Sequence, residues 1–485
     1  MTDVRSIEIL AAATVGCPIL CALLICFLSE QKILIFSKIA GIGTGCFGIL
    51  LSSLLILDRR LQFDNKWIIL DYRSAITIAV ISIIGALSVG ASFQYMKTQK
   101  DSIVGEHRRI RAYYIGIFLF WAITFAVPMA ANIGFAWLLI EATTAMSALL
   151  VGFSGKKRAL EAGWKYLILT SMGLGVALLG ISLLASKIPV LGLNGMTWSA
   201  MHDFSGSHQE AMIIYIIIAS GLATKIGWAP VHNWLPDAHS EAPPPVSGML
   251  SAALLPTVLI VAWRFEIGFG AIIGRQSAQR IFILFGILSI AIAIPFLWQS
   301  LPWKRMLAYS SLENMGILAL GIGFGNPIAI AGVVIHILGH AIAKSYGFYT
   351  STPLFRHEPN AYRHTASGIA RSSPALGVAM GTALGTLAAI PPSPLFISEV
   401  FIVFGGIESG HAVAAVIAVL LLALVFLGIS HSLIELLAGK SFAHRVNVRF
   451  TRIEYLSFFF VVIALLGLTV VAFWLPSSHF IKALV

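Results

Sequence analysis

A single lysine inside an apolar helix is the most costly residue in this chain to bury. Lys225 ends the run AMIIYIIIASGLATKIG at 211–227, and a lysine centred in a bilayer costs roughly 2.5–3.5 kcal/mol on insertion scales. Glu141, the one charge in the apolar run GFAWLLIEATTAMSALLVGF, is the candidate that offsets this cost. Opposite charges in a low-dielectric medium hold each other ionised, and drawing them apart would expel a proton. The pair reads as a proton device; a static ion pair that only fixes packing is the other reading.

Further titratable residues occur in similar surroundings. His336, His340 and Lys344 stand at i, i+4 and i+8 in HILGHAIAKS, so all three lie along one helix face. Histidine changes charge near neutral pH, which suits a relay. Histidines satisfied by backbone carbonyls, or two of them holding a metal, are the alternatives, and Lys344 is no partner for a metal. Glu313 lies in WKRMLAYSSLENMGIL, and Glu399 follows an interruption at Pro391, Pro392 and Pro394. Lys165 begins an apolar helix, where it either snorkels to the headgroups or marks a pathway entrance.

After Lys225 comes GWAPVHNWLPDAHSEAPPPVS, in which Pro230 and Pro236 break the helix. Irregular backbone at membrane depth is tolerated only where protein or a water-filled cavity receives it. Asp237, His239 and Glu241 have no second cluster at a ligand spacing, so no metal is predicted there, and His239 is placed on the proton path.

These groups need a membrane scaffold to hold them. Hydrophobic residues make up 58% of the 485, charged residues 11%, and mean hydropathy is +0.90; a soluble chain would carry about 25% charged residues. The fold predicted is an all-α polytopic membrane protein of about fourteen spans. The first apolar run lacks the basic start and short core of a cleaved signal and is read as a retained helix. Two spans, 211–240 and 374–406, are broken, the sequence pointer to an internally repeated transporter. The organisation predicted is three N-terminal helices (1–110), a first five-helix repeat (111–265), a second, inverted repeat (266–436) and a last helix (437–485). Glu141 then corresponds to Glu313, and Lys225 to Glu399.

The net charge of +11 forms no basic stripe, so nucleic acid is not a predicted partner. Lys and Arg gather in alternate loops, densest at Lys97 to Arg111, Lys156 to Arg158 and Lys440 to Arg452. Under the positive-inside rule those loops are cytoplasmic and both termini lie outside. Cys17, Cys21, Cys26 and Cys46 all fall in the first two helices without a C-x-x-C spacing and are read as small apolar fillers. No iron–sulfur or c-type haem ligand set is present, no cofactor is predicted, and any electron transfer belongs to another subunit. Gly41 and Gly45 form a G-x-x-x-G packing signal. The GKS at 439–441 lacks the upstream glycine of a phosphate-binding loop.

IEATT around Glu141, EAGWKYLIL at 161–169, ATKIGWAPVHNWLPDAHSEAPPPVS at 223–247, and the Glu313 and His336 motifs together resemble one family. It is that of the proton-translocating, antiporter-like subunits of respiratory complex I, multisubunit cation/proton antiporters and membrane-bound hydrogenases. WLPDAHSEAP and YSSLEN look most like the hydrogenase 4 and formate hydrogenlyase branch, component F in particular, with inorganic-carbon uptake subunits a near alternative. The resemblance implies a gating pair of Glu141 and Lys225, a hydrated axis through Lys344 and the histidines, and an outward terminal site at Glu399. It also implies a bacterial or archaeal cytoplasmic membrane, further membrane subunits as neighbours, and a peripheral redox module. SGMLSAALLPTVLI departs from the pattern: it offers only Ser251 and Pro256 where many relatives carry a lysine or histidine.

Overall fold

A computed structural model describes residues 4–99, 106–189, 195–357, 367–439 and 450–484. Apolar runs of this length fold as helices because a backbone without water must pair its own N–H and C=O groups. Among the described residues, twelve helices are long and apolar enough to cross a membrane. The two other predicted spans are helical as well. Trp303–Phe324 is one continuous helix, and 374–406 is split into Pro374–Leu387 and Pro394–Glu408. The basic cluster from Lys440 falls mostly outside the described residues, as does part of the GKS segment.

Packing divides the chain into two compact units, Met1–Gly227 with Glu241–Ile281, and Trp228–Ser240 with Phe282–Val485. The three N-terminal helices therefore pack with the helices of the predicted first repeat, and the last helix with those of the second. The segment 228–240, predicted as part of the first repeat, packs within the second unit.

The first unit holds α1 (Val4–Ile25), α2 (Glu30–Leu57), a hairpin of β1 (Phe63–Asp64) and β2 (Ile69–Leu70), α3 (Tyr72–Gln99), α4 (Glu106–Met129), α5 (Ile133–Val151), α6 (Lys157–Ser186) and α7 (His208–Ile226). The strands are antiparallel, with Phe63 opposite Leu70. Gly41 and Gly45 fit their packing role, since a Cβ at Gly41 would meet Val89 at 2.9 Å and one at Gly45 would meet Ala86 at 3.0 Å. All four cysteines are free; Cys26 lies in the turn just after α1 rather than within it.

At the start of α3, Asp71 caps the helix by accepting from the Ser74 N–H at 2.7 Å. Arg264 donates to Asp71 at 3.0 Å and to Ser74 Oγ at 2.8 Å, which ties this end of α3 to a later helix of the same unit. Charge-assisted bonds of this kind are roughly twice as strong as neutral ones.

Helix α7 is shorter than the predicted 211–240 span. It stops at Ile226, where Gly227 takes a left-handed φ of 81° and donates its N–H to Ala223, a conformation that costs glycine nothing. The helix is pressed hard against α6: a Cβ at Gly221 would stand 2.4 Å from the Ala177 nitrogen. That approach brings Lys225, one turn further on, to the face of α6.

In the second unit the segment after Gly227 is pinned rather than loose. Trp228 donates its indole N–H to the Met315 carbonyl at 2.9 Å, and the Ala229 N–H donates to Ser289 at 3.0 Å. The segment ends in the short helix α8 (Leu235–Glu241). Lys304 donates to the Ser240 carbonyl at 2.8 Å, and Arg305 lies 3.5 Å from Asp237.

The chain then re-enters the first unit as α9 (Pro244–Met249) and α10 (Leu255–Ile273), joined by a π-helical turn over Leu250–Leu254. This turn occupies the stretch that sequence comparison singled out as lacking an ionisable residue. The rest of the chain forms α11 (Arg275–Leu297), α12 (Trp303–Phe324), α13 (Pro327–Tyr349), α14 (Ser351–His357), α15 (Ile369–Ser372), α16 (Pro374–Leu387), α17 (Pro394–Glu408), α18 (Ala412–Ala438), α19 (Arg452–Ala472) and α20 (His479–Lys482). A Cβ at Gly332 would meet the Ser398 carbonyl at 2.7 Å, so α13 and α17 nearly touch beside His336.

Candidate functional site

In the first unit Lys225 is fully buried, and its partners differ from the predicted ion pair. The ammonium donates to Thr144 Oγ1 at 2.7 Å and to the Tyr166 hydroxyl, and lies 4.6 Å from the centre of the Tyr166 ring. Tyr166 in turn shares a 2.7 Å bond with Ser147. Glu141 accepts from Ser171 at 2.6 Å, and its second oxygen is buried without a partner. Glu141 and Lys225 are within Coulombic reach of each other but do not touch. Thr144 stands one turn from Glu141 on α5, so a hydroxyl occupies the place at Lys225 that the carboxylate was expected to take. Direct contact was expected because a buried charge was assumed to meet a charge; two hydroxyls and an aromatic face meet this one instead.

Lys165 is at the surface, half exposed and paired with Glu161 at 2.8 Å one turn earlier.

In the second unit the titratable row is assembled through neutral side chains. Lys344, fully buried, donates to Ser310 Oγ at 2.7 Å and to the Leu307 carbonyl at 3.0 Å. Asn314, one turn along α12, donates to the Ser310 carbonyl at 2.6 Å and to Glu313. Its side-chain oxygen meets His336 Nε2 at 3.0 Å, and His336 Nδ1 meets Ser398 Oγ at 2.8 Å. His340 stacks on His336 with ring centres 6.2 Å apart and 14° between planes. Hydrogen bonds thus run unbroken from Lys344 on α13 through α12 and back across α13 to α17.

Glu399 is partly buried and follows Ser398 in sequence, and Glu313 lies within Coulombic reach of both Glu399 and Lys344. His239 is fully buried, its ring stacked 5.3 Å from Phe348, within Coulombic reach of Lys344 and Lys304. Asp237 faces Arg305. No group of three or more His, Cys, Asp or Glu side chains converges among the described residues.

Tyr166, Ser171, Ser310, Asn314 and Ser398 were not singled out from the sequence. Each is neutral, and only its neighbours in space give it a role. The row of His336, His340 and Lys344 was visible from spacing alone.

Replacing His340 with Ala is expected to slow proton transfer on the order of tenfold, the equivalent of about 1.4 kcal/mol on the barrier, and to leave metal content unchanged. Flux in reconstituted vesicles and elemental analysis check this. Stoichiometric zinc or iron in the unsubstituted protein would overturn it.

The family described as NADH:quinone oxidoreductase/Mrp antiporter, TM, matches residues 130–428, a stretch that includes Glu141, Lys225, Glu313, His336, Lys344 and Glu399. The chain belongs to this family. Among relatives in the NADH:quinone oxidoreductase/Mrp antiporter family, a hydrogenase-4 component F homolog of Methylacidiphilum infernorum is 28% identical over 422 residues, 84% of this chain and 86% of the relative. NADH-quinone oxidoreductase subunit N of Parvibaculum lavamentivorans is 29% identical over 54% of each chain. The fold is also that of a chain in an archaeal membrane-bound sulfane sulfur reductase (TM-score 0.83, 18% identity, 98% of this chain and 96% of that one). A chain of respiratory complex I from Thermus thermophilus has the same fold (TM-score 0.79, 18% identity, 98% and 100%). The protein is an antiporter-like, polytopic membrane protein.

Proposed function

We propose that this chain is the proton-translocating membrane subunit of a redox-driven complex of the hydrogenase or NADH dehydrogenase type. It moves protons through two half-channels, one in each unit. Glu141 and Lys225 act as a gate, with Lys225 held by Thr144 and Tyr166. Glu313, His336, His340, Lys344 and His239 carry protons in the second unit, and Glu399 is the terminal group. The broken segments after Lys225 and before Glu399 support a pair of inverted five-helix repeats. On this reading the complex lies in a bacterial or archaeal cytoplasmic membrane with both termini outside, beside other membrane subunits and a peripheral redox module.

The observation that carries this function is the hydroxyl cradle of Lys225. A carboxylate in direct contact would favour only the ammonium. A hydroxyl accepts from an ammonium and donates to a free amine equally well, so Thr144 and Tyr166 accommodate both protonation states without repacking. Each proton moved against 100 mV requires about 2.3 kcal/mol, so a partner reaction supplies the drive.

The test is to isolate the complex through this chain in mild detergent, reconstitute it and follow proton uptake as its redox module turns over. Redox-driven, sodium-independent uptake is expected. Sodium-dependent flux without a redox module would replace the proposal with cation/proton antiport. A zinc-bearing partner resembling a carbonic anhydrase would replace it with inorganic-carbon uptake.

A further inference from the structure

The hydrogen bonds around Asn314 fix which nitrogen of His336 carries hydrogen toward it. The amide of Asn314 has one orientation that fits. Its NH2 group faces the Ser310 carbonyl at 2.6 Å and Glu313 Oε2, and a carbonyl oxygen can only accept. Turning the amide over would set two oxygens against each other. The amide oxygen therefore points to His336 Nε2 at 3.0 Å, and Nε2 must carry hydrogen to complete that bond.

The other nitrogen has a partner that can act both ways. Ser398 Oγ is 2.8 Å from His336 Nδ1 and 2.7 Å from the Leu395 carbonyl. A serine hydroxyl has one proton and two lone pairs. If it donates to Leu395, Nδ1 must donate to it, and His336 is an imidazolium. If it donates to Nδ1, His336 is neutral.

Resting on the proton-translocation proposal above, we infer that His336 loads and unloads its proton only at Nδ1. Asn314 holds Nε2 protonated throughout, and the Ser398 hydroxyl turns between Nδ1 and the Leu395 carbonyl with each load. Loading transfers a proton from a hydronium to Nδ1, leaving water; the hydroxyl swings away from Nδ1 and donates to Leu395. Unloading returns the proton from Nδ1 to water, and the hydroxyl swings back.

Two structural consequences follow. An amide does not pass protons on, so the route from Lys344 through Ser310 and Asn314 positions His336 without conducting to it. Leu395 and Ser398 lie in the first turns of α17, the second half of the broken helix, so loading His336 adds one hydrogen bond to that half and none to α16. Other titratable groups about this site are Glu313 and Lys344, with His340 on the same face of α13 and Glu399 beside Ser398. Asn314 and Ser398 are thus positioning residues.

The experiment is side-chain nitrogen NMR of isotope-labelled histidine in the intact complex in lipid, with His336 assigned by its loss in His336→Gln. Neutral His336 is expected to carry its proton on Nε2, and Nδ1 alone should titrate. Asn314→Leu should abolish that tautomer preference. A neutral His336 with the proton on Nδ1 would overturn the inference. In flux measurements Ser398→Ala should slow transfer on the order of fivefold, the scale of one hydrogen bond, and Ser398→Thr should restore it. If Ser398→Ala transports normally while Lys225→Ala does not, this inference fails and the proposed function stands. If neither substitution affects flux, both fail. Should Ser398→Ala not assemble, the tautomer in the unsubstituted complex still decides.

Discussion

Lys225→Ala is expected to abolish proton movement by the assembled complex while the complex still forms. The Lys225 amine donates to Thr144 at 2.7 Å and to Tyr166, and neither an alanine nor the two hydroxyls can take its place as the proton carrier at this point of the first unit. Assembly survives for an energetic reason. Losing the lysine removes a costly buried charge and leaves two hydroxyls short of a donor, a penalty of about 1–3 kcal/mol each if nothing replaces it. Thr144 is within 3.3 Å of the Ile140 carbonyl and Tyr166 keeps its bond to Ser147, so both retain a partner. Glu141→Gln should lose most of the flux too, since Gln keeps the Ser171 bond but carries no charge. Vesicle acidification measured beside complex yield separates transport from assembly. Undiminished flux in both variants would remove the gating role.

Lys344→Ala should have an effect of similar size for a different reason. Lys344 is buried with no carboxylate in contact among the described residues, and its ammonium is held by Ser310 and the Leu307 carbonyl. A carbonyl cannot donate back, so this lysine is held less symmetrically than Lys225, and its loss leaves the Leu307 acceptor and Ser310 without their cation. Flux in the second unit should fall to background, with redox turnover falling alongside it if the two are coupled. Lys344→Arg should not restore it: a guanidinium stays protonated at any working pH, so it preserves charge while removing the ability to release a proton. Recovery of flux by arginine would show that Lys344 acts as a fixed charge rather than a carrier.

How much of this could be read from the sequence depends on how each residue stands out. Charged residues in apolar helices draw notice because they are costly there, so Lys225, Glu141, Lys344 and Glu399 were visible, and helical spacing placed His336 on the face of Lys344. Broken segments were visible through proline. The end of α7 was misplaced because Pro230 looked like the breaker, whereas Gly227 had already turned the chain. The cradle of Lys225 was legible only in part: Thr144 follows Glu141 as a small polar residue able to hydrogen-bond a neighbouring helix, but Tyr166 is ordinary for a membrane helix, and the close packing of α6 on α7 at Gly221 is what brings it to the ammonium. Asn314 and Ser398 were hidden likewise, since nothing in YSSLEN says which neighbour the amide faces. The position of Lys165 was open between snorkelling and a pathway entrance, and its half-exposed bond to Glu161 fits both.

The wide turn at Leu250–Leu254 changes what kind of mutation this part of the chain can tolerate. A π turn holds one residue more than an α turn, and here the Leu255 N–H reaches back across five residues to the Leu250 carbonyl. Swapping the apolar side chains for others of like volume leaves that wider ring in place, whereas deleting a single residue should close it to an α turn and rotate the rest of α10 by about 100° about its axis, carrying Arg264 away from Asp71. The register of this span is therefore set by how many residues it holds, and drift in composition can pass through it where a one-codon loss cannot.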